Sequence, residues 1–329
     1  MNLSFLLLFT TLLTGTLISI SSNSWLIMWI GLEMNLMSFI PIIYGNKTPY
    51  ESEASMKYFL IQAMASMMLL MSVLSAEMMN NINSWQNMVL ISALLMKMGA
   101  APFHLWFPNV MQGLNWINCF ILMTWQKIAP MVMASYQLLN NKFINSIIIL
   151  SVIVGAIGGM NQTSIRKMMA YSSISHIGWL LTALLMSEYY WMMYFIMYTI
   201  LNMAVIIILN SYMMFQLQQI FNTKMEATAK FTMFTSMLSL AGLPPFLGFL
   251  PKWMIIQNMI MFKEYLTILI MIMTTLITLY FYLRMMYSAF SLSNQGSKML
   301  NENKNKMVLM ISISISILGI PLITMINMY

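Results

Sequence analysis

Apolar runs of bilayer-crossing length follow one another along this chain, separated by short polar stretches. A helix needs about 20 predominantly apolar residues to cross the hydrocarbon core. By that measure the runs 3–20, 24–44, 55–79, 85–112, 115–139, 144–162, 166–187, 190–221, 228–262, 265–288 and 307–328 read as eleven crossings. Ten-residue segments of alternating polarity, the mark of an outer-membrane barrel, do not occur. The pattern predicts an all-α polytopic membrane protein.

Two of the runs are longer than one crossing needs and are interrupted. Run 85–112 contains Ala101-Pro102-Phe103 and ends near Pro108, and run 228–262 contains Gly242-Leu243-Pro244-Pro245-Phe246 and Pro251. Proline removes a donor from the helix ladder and frees a carbonyl. At membrane depth such a break survives only where protein or a water-filled cavity satisfies the backbone. A simple kink accounts for one such proline, but here the breaks correspond. Pro102-Phe103 and Pro108 recur as Pro245-Phe246 and Pro251, at an offset of 143 residues. The same offset carries Glu33 onto His176. Interrupted segments at matching places in two halves point to an inverted-repeat transporter fold. The expected units are 3–139 and 144–288, five helices each, with 307–328 outside the repeat. An odd number of helices per unit requires successive units to be inverted in the membrane.

Composition closes off the alternatives. Of 329 residues 60% are hydrophobic and 7% charged, and aspartate is absent. A soluble domain carries about 25% charged residues, and a chain this apolar cannot present a polar surface to water. Soluble enzymes, nucleic-acid binders and disulfide scaffolds are thereby excluded. The formal charge of +7 reads as topology, not as a nucleic-acid surface. No basic residue leads into the first run and no small-residue cleavage site follows it, so that run is expected to be a retained crossing. With alternate loops assigned to two faces, one face collects Lys47, Lys57, Arg166, Lys167, Lys224, Lys230, Arg284, Lys298, Lys304 and Lys306. The other collects Lys142 and Lys263. The ten-to-two split places the N-terminus on the matrix or cytoplasmic side and the C-terminus opposite. Counting 228–262 as two crossings would reduce the split to seven against five, which favours one discontinuous crossing.

Once the loop charges near the ends of the runs are assigned, three lysines remain, Lys97, Lys127 and Lys252, and one carboxylate, Glu33, sits mid-span. Each costs roughly 2.5 to 3.5 kcal/mol at the centre of a bilayer, so such groups face the protein interior, water or each other. An amine taken out of water holds its proton less firmly, and a nearby carboxylate restores the hold. Buried lysines within reach of a glutamate therefore form a proton store that neighbouring charge can switch. A static ion pair between Glu33 and one lysine would leave two lysines unexplained. His104, at the first break, and His176, in Ser172-Ser173-Ile174-Ser175-His176, are weaker candidates for proton transfer, since a lone histidine equally serves as a hydrogen-bonded packing residue. The serines are read as packing contacts. Two histidines and the single Cys119 do not make a haem, copper, zinc or iron–sulfur site of usual type. No glycine-rich phosphate loop is present.

Six runs stand out together: Trp29-Ile-Gly-Leu-Glu33-Met-Asn-Leu, Glu53-Ala-Ser-Met-Lys57-Tyr-Phe-Leu-Ile-Gln, Lys97-Met-Gly-Ala-Ala-Pro102-Phe-His104-Leu-Trp, Thr124-Trp-Gln-Lys127-Ile-Ala-Pro130, Ala170-Tyr-Ser-Ser-Ile-Ser-His176-Ile-Gly and Gly242-Leu-Pro-Pro-Phe-Leu-Gly-Phe-Leu-Pro-Lys252-Trp. In this order they resemble the subunit 2 family of mitochondrial NADH:ubiquinone oxidoreductase, respiratory complex I, over essentially the whole chain. The length is similar to the animal form. The 43 methionines, many where Leu or Ile would serve, fit a mitochondrial codon bias and an arthropod-like source.

The resemblance implies an antiporter-like membrane-arm subunit in the mitochondrial inner membrane. Glu33, Lys97, Lys127 and Lys252 match the family's proton-relay positions. It implies no cofactor in this chain: flavin, iron–sulfur clusters and ubiquinone belong to or lie between partner subunits. Implied partners are the other membrane-arm subunits, lipids and protons, and no nucleic acid. The implied mechanism is a relay in which Glu33 biases Lys97 and a proton passes through Lys127 towards Lys252. A free-standing cation/proton antiporter of the same fold is the alternative, against which stands the absence of aspartate, a common oxygen ligand for cations. A purely structural spacer is a third reading, opposed by the cost of four buried charges.

Overall fold

The computed structural model describes residues 3–78, 84–137, 142–222, 227–291 and 314. They form α1 (Leu3–Ser21), α2 (Trp25–Ile43), a 3₁₀ turn (Tyr44–Asn46), α3 (Pro49–Met78), α4 (Ser84–Met98), α5 (Trp106–Gly113), α6 (Trp116–Met123) and α7 (Trp125–Ser135). There follow α8 (Lys142–Met160), α9 (Ile165–Met186), α10 (Glu188–Ser211), α11 (Leu217–Asn222), α12 (Ala227–Ala241), α13 (Phe249–Met261) and α14 (Tyr265–Ser291). Among the described residues the fold is helical, and eight helices are long and apolar enough to cross a membrane, with α6 and α7 counted as one. The two interrupted runs supply the pairs α4/α5 and α12/α13. The expected span 307–328, apart from Ser314, lies outside the described residues, as do Lys224, Lys298, Lys304 and Lys306.

The helices are built for lipid. On α3 the outward positions Met56, Leu60, Met64, Met67 and Met71 are exposed and apolar, whereas Glu51, Ser55, Tyr58, Gln62 and Ser66 are buried. This inverts the amphipathicity of a helix in a soluble protein. It follows from a solvent that rewards apolar surface outside and leaves polar groups to find partners inside. Close helix contacts rest on small residues. A β-carbon on Gly31 of α2 would lie 2.7 Å from the Ser19 amide nitrogen and 2.8 Å from the Gly15 carbonyl of α1. A β-carbon on Gly155 of α8 would lie 2.5 Å from the Ser175 amide of α9.

The chain separates into two compact units, Met1–Ile147 and the residues from Ile148 onward. The offset seen in the sequence reappears in each unit's backbone. Helices α4 and α12 coincide end for end under a shift of 143 residues, and α5 and α13 begin at matching positions. Both broken helices end in the same way. Gly99 (φ 78°) and Gly242 (φ 83°) take the left-handed conformation. The next amide reaches back to a carbonyl five residues earlier, Ala100 to Leu95 and Leu243 to Leu238. This is the Schellman stop, which only glycine enters freely.

Two spans differ from the sequence reading. The run 115–139 is broken at Thr124, where both the amide and the hydroxyl of Thr124 donate to the Phe120 carbonyl, at 3.0 and 2.7 Å. The backbone leaves helical geometry at Thr124 itself, with φ −115° and ψ −72°, and Lys127 N bonds to the Thr124 carbonyl three residues back. The run 190–221 ends as a helix at Ser211, turns at Met213 with φ 50°, and resumes as the short α11. The polar residues around that turn, Asn210, Ser211 and Gln216, are uncharged and are flanked by apolar ones, so the run read as continuous.

Candidate functional site: two lysine-lined cavities

In the first unit the break after α4 leaves backbone carbonyls without helical partners. Side chains take them up: Trp106 Nε1 donates to Met96 O at 3.1 Å, and Gln62 Nε2 to Lys97 O at 3.3 Å. Gln62 thereby holds the end of α4 against α3. The chain turns here through a cis peptide at Ala101-Pro102.

Lys97, in the last turn of α4, is buried, and its Nζ lies 3.9 Å from Glu33 Oε1 of α2. At that distance the contact is Coulombic and not a hydrogen bond. Glu33 Oε1 is buried without a hydrogen-bond donor. The pair is loose, so the carboxylate biases the amine without locking it. Lys127 of α7 is 1% exposed, with Nζ 5.4 Å from the centre of the Phe107 ring, within cation–π range. Lys97 and Lys127 line one enclosed cavity, together with Asn35, Tyr58, Gln62 and Gln126. Its space for the centre of a water molecule is about 20 Å³, above the ~10–15 Å³ that one water requires. Along its wall Gln126 Nε2 donates to Asn35 Oδ1 at 3.0 Å, and the Tyr58 hydroxyl donates to Gln126 Oε1 at 3.4 Å.

In the second unit Lys252 of α13 is buried, and its Nζ donates to the Ala241 carbonyl at 2.8 Å. That carbonyl belongs to the last residue of α12, which the break released. The amine also lies 5.8 Å from the centre of the Trp179 ring. Gly242 makes room for it, since a β-carbon there would sit 3.0 Å from Lys252 Nζ. Lys252 shares a small cavity with Ser175, His176, Thr274, Thr278 and Tyr282, about 10 Å³ by the same measure. His176 Nδ1 and the Tyr194 hydroxyl are 2.8 Å apart, and the Tyr198 ring centre is 5.0 Å from that of His176.

The sequence-predicted residues thus fall into two groups. Lys97 and Lys127 line the first cavity, with Glu33 beside Lys97, and Lys252 and His176 line the second. His104 stands apart: it lies between α4 and α5, half-buried, with Nδ1 3.2 Å from Pro102 O, and lines neither cavity. The hydroxyls of Ser172, Ser173 and Ser175 each donate to a carbonyl three residues back on α9. Asn35, Tyr58, Gln62 and Gln126 were not singled out from the sequence. Their signal was present as polar residues recurring at helical spacing on α3 and beside Glu33 and Lys127.

A sequence profile of the transmembrane region of the NADH:quinone oxidoreductase and Mrp antiporter proteins matches residues 22–278. The chain belongs to this family. It is 51% identical over 331 residues to NADH-ubiquinone oxidoreductase chain 2 of Aedes aegypti, covering 97% of both chains. To the protein of the same name from Anopheles gambiae it is 49% identical over 325 residues, covering 96% of this chain and 95% of the other. In structure it is similar to a chain of respiratory complex I from Thermus thermophilus, with TM-score 0.85, 21% identity, and coverage of 98% of this chain and 78% of that one. A chain of the Mrp complex from Dietzia sp. gives TM-score 0.77 at 17% identity, over 86% of this chain and 60% of that one. These structural likenesses establish the fold of the family, an antiporter-like helical membrane domain.

Proposed function

We propose that this chain is an antiporter-like membrane-arm subunit of a proton-pumping NADH:ubiquinone oxidoreductase, respiratory complex I, in the mitochondrial inner membrane. The full-length similarity to the insect proteins supports membership of the complex. The observation that carries the proton-handling role is the placing of two buried lysines, Lys97 and Lys127, on one water-sized cavity with Glu33 loosely paired to the first.

Oxidation of NADH and reduction of ubiquinone take place in partner subunits that hold the flavin and the iron–sulfur clusters. This chain contributes titratable groups. While the Glu33 carboxylate is charged, it favours the ammonium form of Lys97. A change of charge near Glu33 weakens that preference, and Lys97 passes its proton to water in the cavity and on to Lys127. Lys252 carries the proton onward in the second unit, with the Ala241 carbonyl and the Trp179 ring stabilising its charged form. The N-terminus lies on the matrix side, in keeping with the distribution of basic loops.

Membership of the complex is checked on a native gel of detergent-solubilised membranes, stained for NADH oxidation and probed for this chain. Co-migration with the active high-mass band is expected. Migration as a small species away from that activity would instead favour the free-standing antiporter.

A further inference from the structure

Among the described residues, the relay of Glu33 and the lysines leaves one buried carboxylate unused. Glu51 stands in the first turn of α3, 2% exposed, and its Oε1 accepts from Asn115 Nδ2 at 3.0 Å. Asn115 lies between α5 and α6, so this contact fastens the start of α3 to that connection. Glu51 is just beneath the surface of the unit: Tyr50 beside it is 75% exposed, and Lys47, a turn earlier, is exposed.

Glu51 heads a polar face. Ser55, Tyr58, Gln62 and Ser66 follow it at helical spacing and are buried, while the opposite face of α3, between the exposed Glu53–Lys57 pair and Glu77, is methionine, leucine and phenylalanine. A buried polar stripe on a lipid-embedded helix carries a cost that hydroxyls and amides recover only by finding polar partners or water. This stripe ends at the lysines: Tyr58 and Gln62 line the cavity shared by Lys97 and Lys127, and the Tyr58 hydroxyl donates to Gln126, the residue before Lys127. Seven residues separate Glu51 from Tyr58, about 10 Å along a helix, with Ser55 one turn above the carboxylate.

We propose that Glu51 is the proton-loading group of an uptake route along the inner face of α3, serving Lys127 from the membrane face that bears Lys47 and Lys57. The inference rests on the proton-handling reading above. A proton from surface water binds the Glu51 carboxylate, and the resulting acid gives it to water beside Ser55. The Tyr58 hydroxyl accepts a proton on its lone pair as it releases its own into the cavity, where the Lys127 amine takes it up. Each hop moves one proton and no electrons, and Glu51 returns to the carboxylate. Gln62 and Gln126 hold the geometry and carry no proton themselves.

A structural account of the same carboxylate is a favourable charge at a helix N-terminus that ties down Asn115. Glu51→Gln separates the two, because the amide keeps an acceptor for Asn115 but cannot carry the proton. The experiment measures protons moved per NADH oxidised by the assembled complex in proteoliposomes, for the parent, Glu51→Gln, Lys127→Met and the double variant. The expected result is that Glu51→Gln lowers the ratio by the same fraction as Lys127→Met. The double variant loses no more than either, since groups in series do not add. Glu51→Asp restores the ratio. A parent-like ratio in Glu51→Gln, with Lys127→Met lowered, overturns the uptake route and leaves the relay standing. Parent-like ratios in both overturn the relay reading itself. If Glu51→Gln fails to assemble, Tyr58→Phe takes its place: the same fractional loss is expected, and an unchanged ratio overturns the route.

Discussion

At the scale of single residues, the amine of Lys252 is the most exactingly placed group in the second unit. It is held by a carbonyl that is left as an acceptor because α12 ends at that residue. Replacing Lys252 with methionine keeps the length and apolar bulk and removes the titratable nitrogen. Proton movement by the assembled complex should fall severalfold, measured as protons per NADH in proteoliposomes with assembly followed on a native gel. Unchanged pumping with intact assembly would count against the role given to Lys252. Gly242→Ala tests the same site from the backbone. A β-carbon at φ 83° is strained and would press on Lys252 Nζ at 3.0 Å, at a cost of roughly 1–3 kcal/mol for the backbone conformation. Lower thermal stability of the complex and slower pumping are expected. Gly45→Ala, where a β-carbon meets nothing within 4 Å, should leave both unchanged. Glu33→Gln removes the charge that biases Lys97 across 3.9 Å. It should slow pumping while the native-gel band remains.

At the scale of helices, packing depends on contacts that allow no side chain. Helices α1 and α2 meet at Gly15 and Gly31, where added carbon would strike backbone atoms that cannot move aside. Gly31→Val should therefore push the two helices apart, and overpacking of this kind costs about 1–3 kcal/mol. The expected outcome is a marked drop in assembled complex, read as loss of the high-mass band. A normal band would mean that this contact is softer than its geometry states. The breaks at this scale were legible where proline or glycine marks them, as at Pro102 and Pro245. The break at Thr124 was not, because its hydroxyl contact to the Phe120 carbonyl is one that Thr274 also makes inside an unbroken helix. Threonine within a helix usually makes the hydroxyl contact without breaking the ladder, so the residue type carries no signal. The turn at Met213 escaped because no proline, glycine or charge marks it, and the nearby Asn210, Ser211 and Gln216 are single uncharged residues among apolar ones.

At the scale of the whole molecule, the 143-residue offset ties the two units together more firmly in the structure than in the sequence. Three matching pairs, two of proline and one of phenylalanine, suggested it. The matched bounds of α4 and α12, and the glycine stops at Gly99 and Gly242, extend it to backbone conformation. The functional side chains do not follow the repeat. Lys97 stands before its glycine stop and Lys252 after the corresponding one, and Glu33 has His176 at its matching position. One architecture thus carries two differently arranged lysine-lined cavities. At this scale the native-gel experiment is decisive, since only co-migration with NADH-oxidising activity places both sites within a redox-driven machine.

The class of the fold and its discontinuous helices followed from sequence alone, because lipid rewards uninterrupted apolar length and penalises every charge and every broken hydrogen bond. The same penalty made Glu33, Lys97, Lys127 and Lys252 conspicuous without any structure. Which of them meet was a matter for the tertiary fold. Glu33 and Lys97 are 64 residues apart in the chain and 3.9 Å apart in space. The cavity that Lys97 lines is walled by Tyr58, Gln62 and Gln126, polar residues from other helices that no local pattern groups together. His104 and His176 looked alike as isolated histidines, yet only His176 faces a lysine-lined cavity. A charge in an apolar run declares its own cost, but the partner that offsets the cost is chosen by the packing of distant helices.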